Sequence, residues 1–88
     1  MPFRVEISPA AGRGLRHLPA AAQQRIEPAI LSLADEPRPR GGRKVVGTED
    51  THRIRVGPYR VVYDIYDNER LVVILLVDRR SETTYRRV

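Results

Sequence analysis

Residues 52–63 decide the fold, because they predict two strands and the turn between them. The stretch reads His52-Arg53-Ile54-Arg55-Val56-Gly57-Pro58-Tyr59-Arg60-Val61-Val62-Tyr63. Valine, isoleucine and tyrosine are typical of half-buried strands, and Gly57-Pro58 fits a two-residue turn in which glycine takes the positive-φ position. With that turn, Val56 faces Tyr59 and Arg55 lies directly opposite Arg60.

Because side chains alternate along a strand, this hairpin is predicted to have two different faces. One face is apolar and suits packing against helices; it carries Ile54, Val56, Tyr59, Val61, Tyr63 and Ile65. The opposite face carries Arg53, Arg55, Arg60, Val62 and Asp64. The hairpin therefore predicts a core on one side and a basic surface on the other.

The next strand, Leu71 to Asp78, extends the prediction to a fourth arginine. With Asn68-Glu69 as a two-residue loop, Arg60 pairs with Val77 and Arg79 falls on the basic face. We therefore expect Arg53, Arg55, Arg60 and Arg79 to converge on one patch.

The predicted pairing of Arg55 with Arg60 bears on what the patch binds. Like charges directly opposite each other across strands are destabilising, so an anionic ligand would relieve the cost. Phosphate is favoured because guanidinium groups bind it through two parallel hydrogen bonds. The alternative is that the long side chains extend into water, with Asp64 and Glu82 balancing part of the charge.

The N-terminal part of the chain predicts one strand and two helices. Phe3 to Ile7 alternates as a strand does, and Ser8-Pro9 is a helix start. A first helix is expected from Pro9 to about His17, and a second from after Leu18-Pro19 to about Asp35, kinked at Pro28. The apolar stripe of the second helix comprises Ala22, Ile26, Ala29, Ile30 and Leu33.

A connector at residues 36–42 and a short strand at 43–47 complete the predicted order β-α-α-β-β-β-β. The fold class is α+β, with two N-terminal helices on one face of a four- to five-stranded antiparallel sheet. Residues 1–88 are expected to form a single domain.

The charge distribution points to a polyanionic partner. Sixteen basic residues, fifteen of them arginine, stand against eleven acidic ones, for a net charge of +5. Eleven of the sixteen lie in residues 37–60 and 79–87. Beyond the patch, the candidates for binding a polyanion such as RNA are Arg38, Arg40, Arg43, Lys44, Arg80, Arg86 and Arg87. The alternative to a binding role is that these residues form a solvated basic surface.

Tyr85 has two possible roles. Its ring either stacks on a base or packs the tail against the edge of the sheet.

Several classes of site are not expected. The chain has no cysteine and only two histidines, so we expect no disulfide, metal or cofactor. His52 should face the core, and His17 should lie at a helix C-terminus. No stretch resembles a signal peptide or spans a bilayer, so the protein is expected in the cytoplasm without membrane contact.

These residues together resemble the RelE/ParE toxin superfamily over almost the whole chain. The matching positions are Leu18-Pro19, Leu33…Pro37, Val45-Val46-Gly47, the block at residues 52–63, and Asp78-Arg79-Arg80…Tyr85-Arg86. The resemblance implies the toxin of a type II toxin–antitoxin pair, with a cognate antitoxin as its partner in a hetero-oligomer. It also implies a ribosome-dependent endoribonuclease that cleaves mRNA in the A site. The implied catalytic residues are Arg53, Arg55, Arg60, Arg79 and Tyr85, and the resemblance implies that the other basic candidates contact RNA or the ribosome.

The chain departs from the family pattern at three positions. Arg53 and Arg55 replace lysines, and arginine is a poor proton acceptor. Asp78 replaces a histidine, and one extra residue separates Arg80 from Tyr85 compared with some relatives. These departures suit electrostatic stabilisation better than general-base catalysis, and they leave open a weakly active or inactive relative.

The resemblance leaves two alternatives to the nuclease. One is a ParE-like inhibitor of DNA gyrase without nuclease activity, which would change DNA topology and leave mRNA intact. The other is a non-toxic nucleic-acid-binding relative, which would cause no growth arrest. The full basic set favours the nuclease.

Overall fold

The computed structural model describes residues 2–79. The predicted site residues Arg80, Tyr85, Arg86 and Arg87 therefore lie outside the described part of the chain. The elements are β1 (Arg4–Ile7), α1 (Pro9–Arg16), α2 (Ala20–Ser32), β2 (Arg43–Lys44), β3 (Thr51–Val56), β4 (Tyr59–Tyr66) and β5 (Leu71–Arg79). This is the predicted β-α-α-β-β-β-β order, although β2 is shorter than predicted.

The strands form one five-stranded sheet in the order β1-β5-β4-β3-β2. Three of the four pairings are antiparallel, as predicted, but β1 runs parallel to β5. The prediction of a wholly antiparallel sheet is wrong at this edge. Alternating side chains identify a strand but not its direction. β1 pairs with β5, the last described strand in chain order, and not with a strand close to it in the sequence.

The helices follow their sequence signals. The Ser8 hydroxyl accepts a hydrogen bond of 3.1 Å from the Ala11 N–H, and Pro9 occupies the first turn of α1. Helix α2 ends three residues before the predicted end at Asp35, because residues 33–35 donate to carbonyls only three residues back. Pro28 lies inside α2, and the kink expected there stays a prediction.

Both helices pack on one face of the sheet. The largest fully buried side chains come from α2 and its C-cap, β4 and β5 and are Tyr63, Ile26, Ile30, Leu33, Ile65, Ile74, Val61, Val72 and Val77. Helix α1 approaches β5 so closely that a Cβ on Gly14 would lie within 3.0 Å of the Val77 carbonyl oxygen. Glycine at this position therefore permits the close contact between helix and sheet.

The β3–β4 hairpin has the predicted register, with Val56 opposite Tyr59 and Arg55 opposite Arg60. Gly57 has φ +61°, the conformation expected for this turn. The six residues predicted for the apolar face are all buried or half-buried. The hairpin therefore places its arginines on the face that the helices leave open.

A β-bulge in the β4–β5 pairing changes the predicted position of Arg79. The predicted register holds as far as Tyr63 opposite Ile74, but Val62 then pairs with Leu76. The extra residue shifts the remaining pairs by one, so Arg60 lies opposite Asp78 instead of Val77. Because a one-residue shift reverses the faces, Arg79 pairs with Tyr59 on the helix side, and the predicted convergence of Arg79 with the other three arginines is wrong.

Candidate nucleic-acid interface

Four arginines share the open face of the sheet near its β2 edge. Arg43 pairs with Arg53 across β2 and β3, and Arg55 pairs with Arg60 across β3 and β4. Paired residues in a sheet point to the same side, and Arg53 and Arg55 are two residues apart on one strand. We call Arg43, Arg53, Arg55 and Arg60 the arginine face. Three of them were predicted for the patch, and Arg43 joins them because β2 aligns it with Arg53.

Asp78 forms an ion pair with one member of this face. The Arg60 guanidinium donates two hydrogen bonds to the Asp78 carboxylate, Nε to Oδ1 at 3.2 Å and Nη2 to Oδ2 at 2.9 Å. The Arg60 side chain is 19% exposed and the Asp78 side chain 37%. This two-bond contact fixes the orientation of Arg60 and offsets part of the repulsion between Arg55 and Arg60. The sequence reasoning missed it, because it depends on the bulge.

The other arginines of this face are more available to an anion. Within residues 2–79, no ion pair is formed by Arg43, Arg53 or Arg55. Arg43 and Arg55 are exposed and Arg53 is half-buried. Their charges are therefore available to a phosphate with little competition from protein carboxylates.

Within residues 2–79, Asp64 forms no ion pair with these arginines, although the sequence suggested that it could balance part of their charge. Its carboxylate accepts one hydrogen bond from the Thr51 hydroxyl at 2.5 Å and another from the Tyr66 hydroxyl at 2.9 Å. The bond to Asp64 raises the pKa of Tyr66. Asp64 therefore belongs to a separate polar cluster on the same face.

Arg38, a predicted RNA-binding residue, instead makes a contact within the protein. Its guanidinium donates two hydrogen bonds to the Asp67 carboxylate, at 3.1 and 2.7 Å. The hydrogen bond from Arg38 lowers the pKa of Asp67 below its usual value. The contact joins the connector to the β4–β5 turn, 29 residues further along the chain.

The remaining predicted residues are dispersed. Lys44 is exposed and pairs with His52, on the helix side of the sheet. Arg40 is exposed on the connector and lines a groove beside Arg55. Arg79 is exposed at the end of β5, on the side of Tyr59.

Neither histidine lies on the arginine face. The His52 ring stacks on the Tyr63 ring at a centroid distance of 6.0 Å, and its Nδ1 lies 3.0 Å from the Asp50 carbonyl oxygen. His17 caps α1, with Nδ1 2.7 Å from the Arg13 carbonyl oxygen. Both occupy the positions predicted for them. Among residues 2–79, no three histidine or acidic side chains are grouped so that they could hold a metal ion.

The fold occurs in a known class of proteins. Residues 5–84 match the family described as the ParE toxin of type II toxin–antitoxin systems, parDE. Toxin RelG of Mycobacterium tuberculosis is 37% identical over 91 residues, which cover 99% of this chain and 100% of RelG. The chain therefore belongs to the RelE/ParE toxin superfamily.

Solved structures agree with this assignment. A chain in the toxin–antitoxin complex RelBE2 from Mycobacterium tuberculosis is 33% identical with a TM-score of 0.81, and the match covers 91% of this chain and 100% of that one. A chain in the archaeal RelE–RelB complex from Pyrococcus horikoshii is 32% identical with a TM-score of 0.82, and the match covers 93% of this chain and 99% of that one.

Across residues 2–79, this chain has no helix long and apolar enough to cross a membrane.

Proposed function

We propose that this protein is the toxin of a type II toxin–antitoxin pair and acts as a ribosome-dependent endoribonuclease on mRNA in the A site. The observation that carries the proposal is the placement of Arg53, Arg55 and Arg60 together on the open face of the sheet. Three guanidinium groups on one surface suit a phosphodiester, whose negative charge increases in the transition state.

The proposed reaction is attack of a 2′-hydroxyl on the neighbouring phosphorus. Arg53 and Arg55 hold the phosphate oxygens and stabilise the dianionic phosphorane. Arg60, oriented by Asp78, is the third donor. Arg79 and Tyr85 remain proposed contacts to the RNA, Tyr85 by stacking on a base. The remaining proposed RNA or ribosome contacts are Arg40, Arg43, Lys44, Arg80, Arg86 and Arg87, with Arg38 engaged by Asp67.

The attacking hydroxyl must lose a proton, and arginine cannot accept it at neutral pH. We assign this role to the Asp78 carboxylate, which lies on the open face in contact with Arg60. As the 2′-hydroxyl transfers its proton to Asp78, the 2′-oxygen bonds to phosphorus and the bond from phosphorus to the 5′-oxygen breaks. The leaving 5′-oxygen takes a proton from water, and Asp78 gives its proton to the hydroxide so formed, which restores the carboxylate. The products are a 2′,3′-cyclic phosphate and a 5′-hydroxyl.

The proposed partner is a cognate antitoxin, with which the protein forms a hetero-oligomer in the cytoplasm. Two relatives with more than 30% identity were solved as complexes of toxin and antitoxin. On the helix side, Ile7 and Leu31 are 48% and 68% exposed and line one apolar cleft with Leu15 and Ile30. An amphipathic antitoxin segment would cover such a surface.

The test is primer extension on mRNA held in stalled ribosomes with a defined A-site codon. The proposal predicts cuts within that codon by the wild-type protein and none on free mRNA. Intact mRNA on the ribosome would reject the nuclease. A parallel supercoiling assay with purified gyrase then separates the ParE-like inhibitor, which blocks supercoiling, from a non-toxic relative, which does not.

A further inference from the structure

A groove lies beside the arginine face, between α2, the connector and the C-terminal half of β3. Its volume is about 420 Å³, which falls in the range of small-molecule sites. It is lined by Ala29 and Ser32 of α2, by Leu33 at the end of that helix, by residues 54–56 of β3 and by residues 39–41 of the connector. The walls are largely apolar, whereas two of the lining residues, Arg40 and Arg55, are charged and exposed.

The connector wall of this groove is held in place by contacts at several points. The buried Tyr63 hydroxyl donates a hydrogen bond of 2.8 Å to the Pro37 carbonyl oxygen. Arg38 is tied to Asp67, and a turn closes from the Gly42 N–H to the Pro39 carbonyl oxygen at 3.0 Å. Arg40 lies between these contacts, so its backbone is positioned before any ligand arrives. Such preorganisation lowers the entropic cost of binding.

The charge of the groove is continuous with the arginine face. Arg55 belongs to both, since it pairs with Arg60 and also lines the groove. Within residues 2–79, neither Arg40 nor Arg55 forms an ion pair with a carboxylate. A polyanion bound along the arginine face would therefore reach the groove, where Arg40 supplies the next positive charge.

The edge of β3 adds backbone groups to the groove. β2 pairs only with His52 and Arg53 among the described residues, so residues 54–56 lie at the edge of the sheet. Backbone N–H and C=O groups at a sheet edge are donors and acceptors for a ligand. RNA-binding sites recognise unstacked bases by combining apolar contact with hydrogen bonds to base edges.

We propose that this groove binds one nucleotide of the RNA adjacent to the scissile phosphate, with the base between α2 and the connector and its phosphate on Arg40, while Arg55 bridges this phosphate and the scissile one. The inference rests on the proposed function for the identity of the polymer. It adds a nucleotide subsite in which Arg40 is a binding residue and not a catalytic one.

The first experiment titrates the full-length protein with adenosine 5′-monophosphate and follows backbone amides by NMR. We expect saturable shifts at residues 39–41 and 54–56, and weaker shifts with inorganic phosphate or adenosine alone, since each supplies half of the ligand. An unchanged spectrum at these residues would overturn the proposal. A deca-glutamate peptide that shifts the same amides more strongly than the nucleotide would also overturn it, assigning the groove to an acidic protein segment.

The second experiment measures the affinity of a labelled eight-nucleotide single-stranded RNA. Arg40→Ala should weaken binding by roughly two- to fivefold, the range expected for one exposed ion pair. It should also reduce the slope of log affinity against log salt by about 0.7, the value for one phosphate contact on a single strand. Arg13→Ala on α1 removes the same charge from the helix side and should change neither quantity.

The outcomes separate this inference from the proposed function. Nucleotide binding in the groove without ribosomal cleavage would support the subsite and remove the nuclease. Cleavage with unaltered RNA affinity and an unaltered salt slope in Arg40→Ala would support the nuclease and remove the subsite.

Discussion

Replacing Tyr63 by phenylalanine tests whether the connector is held by the hydrogen bond from the Tyr63 hydroxyl to the Pro37 carbonyl oxygen. The Tyr63 side chain is fully buried, the bond is 2.8 Å long, and the aromatic ring that stacks on His52 remains in Tyr63→Phe. Packing is therefore preserved, and the main loss is a partner for a buried carbonyl. An unsatisfied buried group costs about 1–3 kcal/mol.

We expect Tyr63→Phe to lower the free energy of unfolding by about 2 kcal/mol, in the middle of that range. For a domain of this size the midpoint of thermal unfolding should fall by roughly 8–16 °C. Urea unfolding monitored by circular dichroism gives the free energy directly. Tyr66→Phe is the matched control, because it removes a half-buried hydroxyl from the open face and should have a smaller effect. Equal effects of the two variants would refute the reasoning.

Three further predictions follow from single contacts. Gly14→Ala should destabilise the fold by roughly 1–3 kcal/mol through overpacking, whereas Gly12→Ala, whose Cβ would meet the flexible end of Arg16, should be neutral or stabilising; thermal unfolding of both variants checks this. Asp78→Asn should raise the affinity for single-stranded RNA, measured by fluorescence anisotropy, and reduce cleavage; a variant that cleaves at the wild-type rate would remove Asp78 as the proton acceptor. Burial raises the pKa of Tyr63 to about 12. Above pH 10 the unfolded state therefore loses this proton first, and the free energy of unfolding should fall between about pH 10 and 12. Urea titrations over that window should show a shallower decline for Tyr63→Phe.

The sequence predicted the parts of the fold that depend on local pattern. The turn at Gly57-Pro58 determined the β3–β4 register, and with it the positions of Arg55 and Arg60. The cap at Ser8 and the apolar stripe of α2 likewise predicted where the helices begin and which side they bury. Each of these signals is carried by residues close together in the chain.

The sequence could not predict the bulge between β4 and β5. Residues 71–77 are all apolar, so they contain no alternation of polar and apolar residues that would reveal an extra residue in the strand. The bulge is what brings Asp78 opposite Arg60 and turns Arg79 to the helix side. The contact between Arg38 and Asp67 was missed for a related reason, because the two residues are far apart in the chain and meet only when the connector folds back.

The ion pair between Arg60 and Asp78 changes how positive charge is distributed over the candidate site. Of the three predicted arginines that share the open face, it leaves Arg53 and Arg55 with a charge that no carboxylate of residues 2–79 offsets through an ion pair. If the site cleaves RNA as proposed, these two arginines should contribute most of the electrostatic stabilisation of the transition state.

The most direct test of this account is the single-turnover rate of mRNA cleavage on stalled ribosomes for the double variant Arg53→Ala/Arg55→Ala. Arg13→Ala/Arg16→Ala removes the same charge from α1, on the opposite side of the sheet, and is the control. The account predicts a loss of at least about 100-fold for the first pair, the effect of removing groups that stabilise transition-state charge, and a rate close to wild type for the second. Equal rates for the two double variants would contradict it.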